Sequence, residues 1–286
     1  MMSPLANLHG KIMPLSEVTI SPLDRGFLFG DAVYEVLRVY QGKPWLEQEH
    51  FDRFARSLEE IRIRGIDMAR MRQRMYETIR AGNFREAYVY MQVTRGAAPR
   101  HHAFPKDAVP LELLWVDEYR GNYDEPRKTG IRVITYPDLR WHRCDIKSTN
   151  LLGNVLANQA AAEAGCSEVL LYLPDGTLTE ASHSSFFAVQ AGKLHTTPLK
   201  ANVLPSITRG YTLKLAKQAG VEFVERSLHR RELNEIDEMF LVGTGCEILP
   251  VVQVDAQNIR QGQPGPVSRR LQTLYSESVQ AFLTSV

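Results

Sequence analysis

One lysine carries the first chemical question. Lys147 lies in RWHRCDIKSTNLLGNVLANQ, residues 140–159, between Ile146 and Ser148 and just ahead of an apparent helix over residues 150–164. Its neighbours Cys144, Ile146, Leu151 and Leu152 are apolar enough to bury the segment partly. Desolvation lowers a lysine pKa from its ordinary value of about 10.4, and a neutral amine can form a Schiff base with a carbonyl or an aldehyde cofactor. The same window also suits a lysine whose stem follows a loop while its ammonium reaches water. From these residues alone both readings stand.

Other groups have polar chemistry at suggestive places. PSITRGYTL, residues 205–213, reads as a helix start with Ser206 at or near the N-cap. The free N–H groups near Ile207 and Thr208 favour an anion there, although simple capping also explains the serine. VGTGCE, residues 242–247, sets Thr244 between two glycines after the strand MFLV; such a loop lets backbone amides approach a ligand, and it is also a common turn. In LTEASHSS, Glu180 ends a hairpin strand. A carboxylate there can hold a protonated ring nitrogen, or be an exposed strand-end acid. His183 by itself is uninformative. VTRGAAPRHHAFP carries Arg100, His101 and His102 on a Gly/Pro-rich loop; arginine suits a bidentate grip on a carboxylate, and a solvated basic loop is the alternative. Tyr34 in DRGFLFGDAVYE follows Gly26 and Gly30, which shape the backbone entering a strand. Core packing explains that ring equally well.

The elements that position these groups read as α+β. VYEVLRVY alternates and is rich in β-branched and aromatic residues, which predicts a strand over 33–40. Phe51, Phe54, Leu58 and Ile61 recur at spacings of three and four, the mark of an amphipathic helix. A second helix over 69–81 precedes strands at 87–95 and 111–119. GNYDEPRKTG, residues 121–130, is polar with Gly, Asn, Asp and Pro and is the linker candidate. It divides a domain over 1–120 from one over 131–286. The latter holds a strand at 131–136, the helix after Lys147, a Pro-Asp-Gly hairpin, a helix over 206–219, further strands and a C-terminal helix.

The bulk numbers exclude several classes. Lys+Arg 34 against Asp+Glu 33 leaves no basic or acidic block, so neither nucleic acid nor an anionic membrane is an expected partner. Three scattered cysteines form no CxxC pair, which argues against zinc or a disulfide framework and suits a reducing cytoplasm. No secretory signal is recognisable, and no apolar run approaches the ~18 residues of a membrane span. There is no GxGxxG after a strand and no P-loop.

Together and in order, DRGFLFGDAVYEVLRVY, EHFDRF, VTRGAAPRHHAFP, RWHRCDIKSTNLLGNVLA, LTEASHSSFF, ITR and VGTGCEILPV span nearly the whole chain. The set resembles the fold-type IV pyridoxal-phosphate enzymes, and within them most the bacterial D-amino acid aminotransferases. The resemblance implies two domains, a smaller N-terminal α+β domain and a larger C-terminal β-barrel-like domain with helices. It implies pyridoxal 5'-phosphate bound covalently to Lys147, which then shuttles protons. Glu180 is expected to pair with the pyridine nitrogen and Leu204 to lie against the ring. Arg53, the Ile207 amide, Thr208 and Thr244 are expected to hold the phosphate. Tyr34, Arg100 and His102 match the group that grips a substrate α-carboxylate, with Arg100 and His102 supplied by the second subunit of a homodimer. The implied reaction is a ping-pong transfer from D-alanine, D-glutamate or D-aspartate to 2-oxoglutarate or pyruvate. Branched-chain L-amino acid aminotransferases and aminodeoxychorismate lyases share the fold and are the alternatives; a non-catalytic carrier of the cofactor would need no carboxylate grip. Two departures stand out. His183 is bulkier than expected after Glu180, and VGTGC is nearer the branched-chain enzymes.

Overall fold

The computed structural model describes residues 3–199 and 202–285. The chain divides into two compact units. The first holds the residues up to Arg120 together with Ile146–Asn150; the second holds Gly121–Asp145 and the residues from Leu151 on. The 121–130 stretch, expected as a linker, contains a short helix and groups with the second unit.

In the first unit, β1 (Leu5–Leu8) and β2 (Lys11–Pro14) form a hairpin. Then come α1 (Arg25–Phe29), β3 (Ala32–Tyr40), β4 (Lys43–Pro44), α2 (Glu47–Glu60), α3 (Met68–Ala81), β5 (Ala87–Thr94) and β6 (Leu111–Glu118). The strands pair antiparallel in the order β2-β1-β6-β5-β3-β4. Strand alternation decides the faces. Val33, Leu37 and Val39 point to one side and are buried with Phe51, Phe54 and Leu58 of α2 and Met71, Met75 and Ile79 of α3. Glu35 shares their phase and is fully buried. The other phase carries a stack of rings: Tyr34 and Tyr90 have centroids 5.4 Å apart, and Tyr90 and Trp115 3.8 Å apart.

After an excursion of 25 residues into the second unit, Gly121–Asp145, the chain returns to the first for Ile146–Asn150 only. That segment lies along the edge of β3 that β5 does not use. Ser148 bridges Val33, Tyr34 N donates to Lys147 O at 2.9 Å, and Thr149 N donates to Ala32 O at 3.1 Å. Gly30 makes this approach possible. It ends α1 with φ 65°, and a Cβ there would fall 2.4 Å from Asn150 Oδ1.

The second unit contains α4 (Asp124–Thr129), β7 (Ile131–Pro137), α5 (Leu152–Glu163), β8 (Glu168–Tyr172), β9 (Ser185–Gln190), β10 (Lys193–Thr196), α6 (Ile207–Gln218), β11 (Phe223–Glu225), β12 (Glu238–Gly243), β13 (Glu247–Val254), β14 (Gln257–Asn258) and α7 (Pro266–Thr284). The strand path is β11-β10-β9-β12-β13-β7-β8, with β14 on β13. Its core includes Val133, Leu170, Phe186, Ala188, Leu241 and Val251. Past β8, Leu178 N donates to Leu228 O at 2.7 Å and Thr177 bridges His229. Pairing therefore runs from the β8 side back to the chain just after β11, which gives the barrel-like closure expected of this mixed α+β architecture.

Candidate active-site residues

Lys147 is half-buried, and its position is set by its own backbone. Lys147 N donates to Ser57 Oγ of α2 at 3.3 Å, and its carbonyl caps Tyr34 N. The side chain turns to the ring face of β3, where Nζ stands 4.3 Å from the Tyr34 ring centroid. Cys144, three residues earlier, is no rival nucleophile: burial pushes its thiol up to about 12.

Arg53 Nε and Nη2 donate to the two oxygens of Glu35 at 2.9 and 2.6 Å. His50 Nδ1 lies 3.1 Å from Glu35 Oε1. Burial alone would raise the Glu35 pKa, but Arg53 and then His50 hold it well below the ordinary carboxylate range. Burial pulls the His50 pKa down, and Glu35 beside it offsets only part of that. The pair fixes a guanidinium, Arg53, that is itself only 9% exposed. His50, Arg53 and Ser57 recur at helical spacing on one face of α2, so one helix carries both the fixed cation and the support for Lys147.

Arg100 and His102 are exposed on the loop after β5. They converge on Phe29: the Arg100 guanidinium carbon is 5.3 Å and the His102 ring 5.4 Å from its centroid. No described contact joins them to Tyr34.

In the second unit, Glu180 is 6% exposed. It accepts from Arg140 Nη1 and faces the Leu204 amide at 3.3 and 3.4 Å. Arg140 is in turn clamped by Asp138, through Nε at 2.9 Å and Nη2 at 2.8 Å, and Thr179 Oγ1 donates to Asp138 at 2.7 Å. Burial raises the Glu180 pKa, and Arg140 offsets only part of that. A further cation placed against this carboxylate would favour its charged form. That is the partner a protonated pyridine nitrogen provides.

Ser206 caps α6 by accepting from Arg209 N at 3.1 Å, and the first intrahelical bond is Gly210 N to Ser206 O. The amides of Ile207 and Thr208 precede it and have no partner within the helix. Thr208 is nearly fully buried beside them. Thr244 lies in the three-residue turn that joins β12 to β13, and Gly243, the last residue of β12, faces Ser184 and the His183 carbonyl. Amides at a helix start and a hydroxyl-bearing turn suit a phosphate, so the residues fit a phosphorylated pyridine aldehyde. His183 Nδ1 stands 2.9 Å from Glu168 Oε2. Glu168, 3% exposed, also accepts from the amides of Ser182 and His183 at 3.1 and 3.3 Å, so it shapes the loop after Glu180.

Each unit thus gathers part of the expected set: Lys147 with Tyr34 in the first, Glu180 with Leu204 in the second. Sequence reading missed Glu35, His50, Asp138, Arg140, Glu168 and Phe29. Glu35 had a signal, a charged residue in the inward phase of an alternating strand. The others are unremarkable in sequence and acquire partners only in the fold.

Residues 32–254 match the family described as amino-transferase class IV. The chain is 36% identical over 278 residues to a D-alanine aminotransferase of Bacillus licheniformis, covering 95% of both chains. It is 34% identical over 276 residues to a D-alanine aminotransferase of Staphylococcus haemolyticus, covering 96% of this chain and 97% of the relative. Among solved structures, the branched-chain amino acid aminotransferase from Thermobaculum terrenum in its PLP-form superposes with TM-score 0.85 at 26% identity, covering 98% of this chain and 95% of that one. Among the described residues no cluster suits a metal ion, and no helix is long and apolar enough to cross a membrane.

Proposed function

The chain belongs to the class IV aminotransferases, and from that premise we propose that it is a D-amino acid transaminase dependent on pyridoxal phosphate. Its substrates are D-alanine, D-glutamate or D-aspartate as donors and 2-oxoglutarate or pyruvate as acceptors. The observation that carries this reading is the end-to-end likeness to D-alanine aminotransferases, together with a seated Lys147 beside Tyr34.

When bound, pyridoxal phosphate supplies an aldehyde and a ring that takes up the electron pair left at the substrate Cα. Lys147 has two tasks in this reading. Its Nζ is the amine of covalent attachment, and as a free amine it takes and returns the Cα proton at close range. Glu180 holds negative charge at the ring nitrogen, steadied by Arg140 and the Leu204 amide. Leu204 would lie against the ring. Arg53, the Ile207 amide, Thr208 and Thr244 would hold the phosphate. Tyr34, Arg100 and His102 orient the substrate α-carboxylate.

The exposure of Arg100 and His102 supports a homodimer in which one chain supplies them to its partner's site. The exposed side chains of Leu152, Val155 and Leu156 on α5 add apolar surface for a second copy. This predicts complementation. Lys147→Ala and Arg100→Ala homodimers, each impaired, should regain about a quarter of the wild-type sites after random subunit exchange, because each hybrid has one intact site. No gain on verified exchange would place the loop in its own chain's site. The free thiols of Cys144, Cys166 and Cys246 suit a reducing cytoplasm.

The substrate test is the visible spectrum of the cofactor-loaded protein, with D-alanine or L-leucine added separately and no acceptor present. D-alanine alone should deplete the Schiff-base band and release pyruvate in proportion. Depletion by L-leucine alone would assign the chain to branched-chain L-amino acids, in line with the Thermobaculum terrenum structural neighbour.

A further inference from the structure

The residues that hold the carboxylate loop form a device of their own. Arg25, 3% exposed, donates through Nη1 to His101 O at 2.5 Å and through Nη2 to His102 O at 3.2 Å. Its Nε donates to Asp31 Oδ2 at 2.8 Å. Asp31 also accepts from Arg95, at 2.8 and 3.0 Å, and the Arg95 guanidinium carbon lies 3.6 Å from the Phe104 ring centroid at the far end of the same loop. Arg95 Nη2 donates on to Ile61 O at 2.6 Å, tying the cluster to the end of α2. Phe29 completes it. Its ring has Arg25 at 4.8 Å, Arg100 at 5.3 Å and the His102 ring at 5.4 Å.

Two cations and an imidazole around one ring are not a packing accident of the core, because Phe29 is only partly buried and Arg100 and His102 are exposed. The side chain of a flexible arginine keeps little orientation in water unless something holds it. A ring face attracts a guanidinium through its quadrupole, and a ring contact restrains the imidazole plane.

We propose that Phe29 and Arg25 are positioning residues for recognition of the substrate α-carboxylate: Phe29 is the shelf that aims the Arg100 and His102 side chains, and Arg25 fixes the backbone beneath them. This rests on the assignment of Arg100 and His102 as the carboxylate grip. Neither Phe29 nor Arg25 need touch the substrate. Their effect is on how often the grip is already in its binding arrangement when the substrate arrives.

The test uses the cofactor-loaded enzyme and four variants: Phe29→Leu, Phe29→Tyr, Arg25→Lys and Arg100→Ala. Phe29→Leu keeps an apolar side chain and removes the ring. It should raise KM for D-alanine by about five- to thirty-fold, with kcat within about two-fold, while Phe29→Tyr restores KM. Arg25→Lys keeps the charge and loses the fork that reaches both carbonyls, and it should raise KM in the same direction. A second substrate separates positioning from general damage. The slow half-reaction with a primary amine that has no carboxylate should proceed at the wild-type rate in Phe29→Leu and Arg25→Lys, with an unchanged visible spectrum. Arg100→Ala is the control for the underlying assignment. If it leaves KM unchanged, the carboxylate grip itself is misassigned. If it raises KM while Phe29→Leu and Arg25→Lys do not, the grip stands and the positioning proposal is overturned. Equal loss on the carboxylate-free amine would also overturn it, since that is the signature of a merely structural role.

Discussion

Lys147→Ala is expected to reduce transamination by about four orders of magnitude, because it removes both the attachment amine and the proton shuttle at Cα. The loss should be chemical rather than structural. The backbone of residue 147 makes the bonds that hold the segment to β3 and α2, through its carbonyl to Tyr34 and its amide to Ser57, and alanine keeps both. Wild-type protein loaded with pyridoxal phosphate and reduced with borohydride should carry the label on the peptide containing Lys147, and the variant should carry none there. Added methylamine should restore part of the lost rate, since a free amine can replace the proton shuttle without the benefit of tethering. A label on any other lysine, or a variant with near-normal turnover, would remove Lys147 from the chemistry.

The second large effect belongs to Glu180→Gln. Glutamine keeps the shape and still accepts from Arg140 and the Leu204 amide, but it carries no charge. Removing one buried electrostatic contact to a developing charge typically costs about 10²- to 10³-fold in kcat, and that loss is expected here with cofactor binding retained. The pKa of Glu180 gives the comparison its sign. Burial raises it and Arg140 offsets part of that, and a protonated ring nitrogen is a second cation that favours the charged form. Glu180→Asp should fall between the two, because the charge remains but the shorter arm withdraws it. A Glu180→Gln enzyme with wild-type kcat would mean that the ring nitrogen has another partner.

Much of this arrangement is readable from the chain, for physical reasons. Local signals survive in sequence: the alternation of β3, the three-and-four spacing of α2, the serine cap of α6 and the Gly-Thr-Gly turn are each set by neighbours within a few residues. Lys147 is ambiguous by itself, and the ordered motifs around it carry the resemblance that favours the chemical reading. What stays hidden depends on pairings across long separations. Arg140 meets Glu180 across 40 residues, Arg53 meets Glu35 across 18, and Arg25 meets the carbonyls of His101 and His102 across more than 70. A buried arginine and a solvated one look the same in a sequence. The 121–130 stretch reads as a linker for a related reason. Its polar residues form a short helix that ends at Gly130, with Asp124 and Glu125 in its first turn and Arg127 and Lys128 in its last, in keeping with the helix dipole.

The brief return of Ile146–Asn150 to the first unit has a consequence for synthesis. A ribosome delivers residues 1–120 well before it delivers Lys147, yet the early sheet lacks a neighbour for the first part of β3 and its core lacks Ile146 until then. The nascent chain therefore waits through the making of α4 and β7 with an unpaired strand edge, the kind of edge that invites association with other chains. Completion of that sheet edge and delivery of Lys147 coincide. The first unit cannot close its edge before residue 147 has arrived, so assembly of the sheet itself seats Lys147.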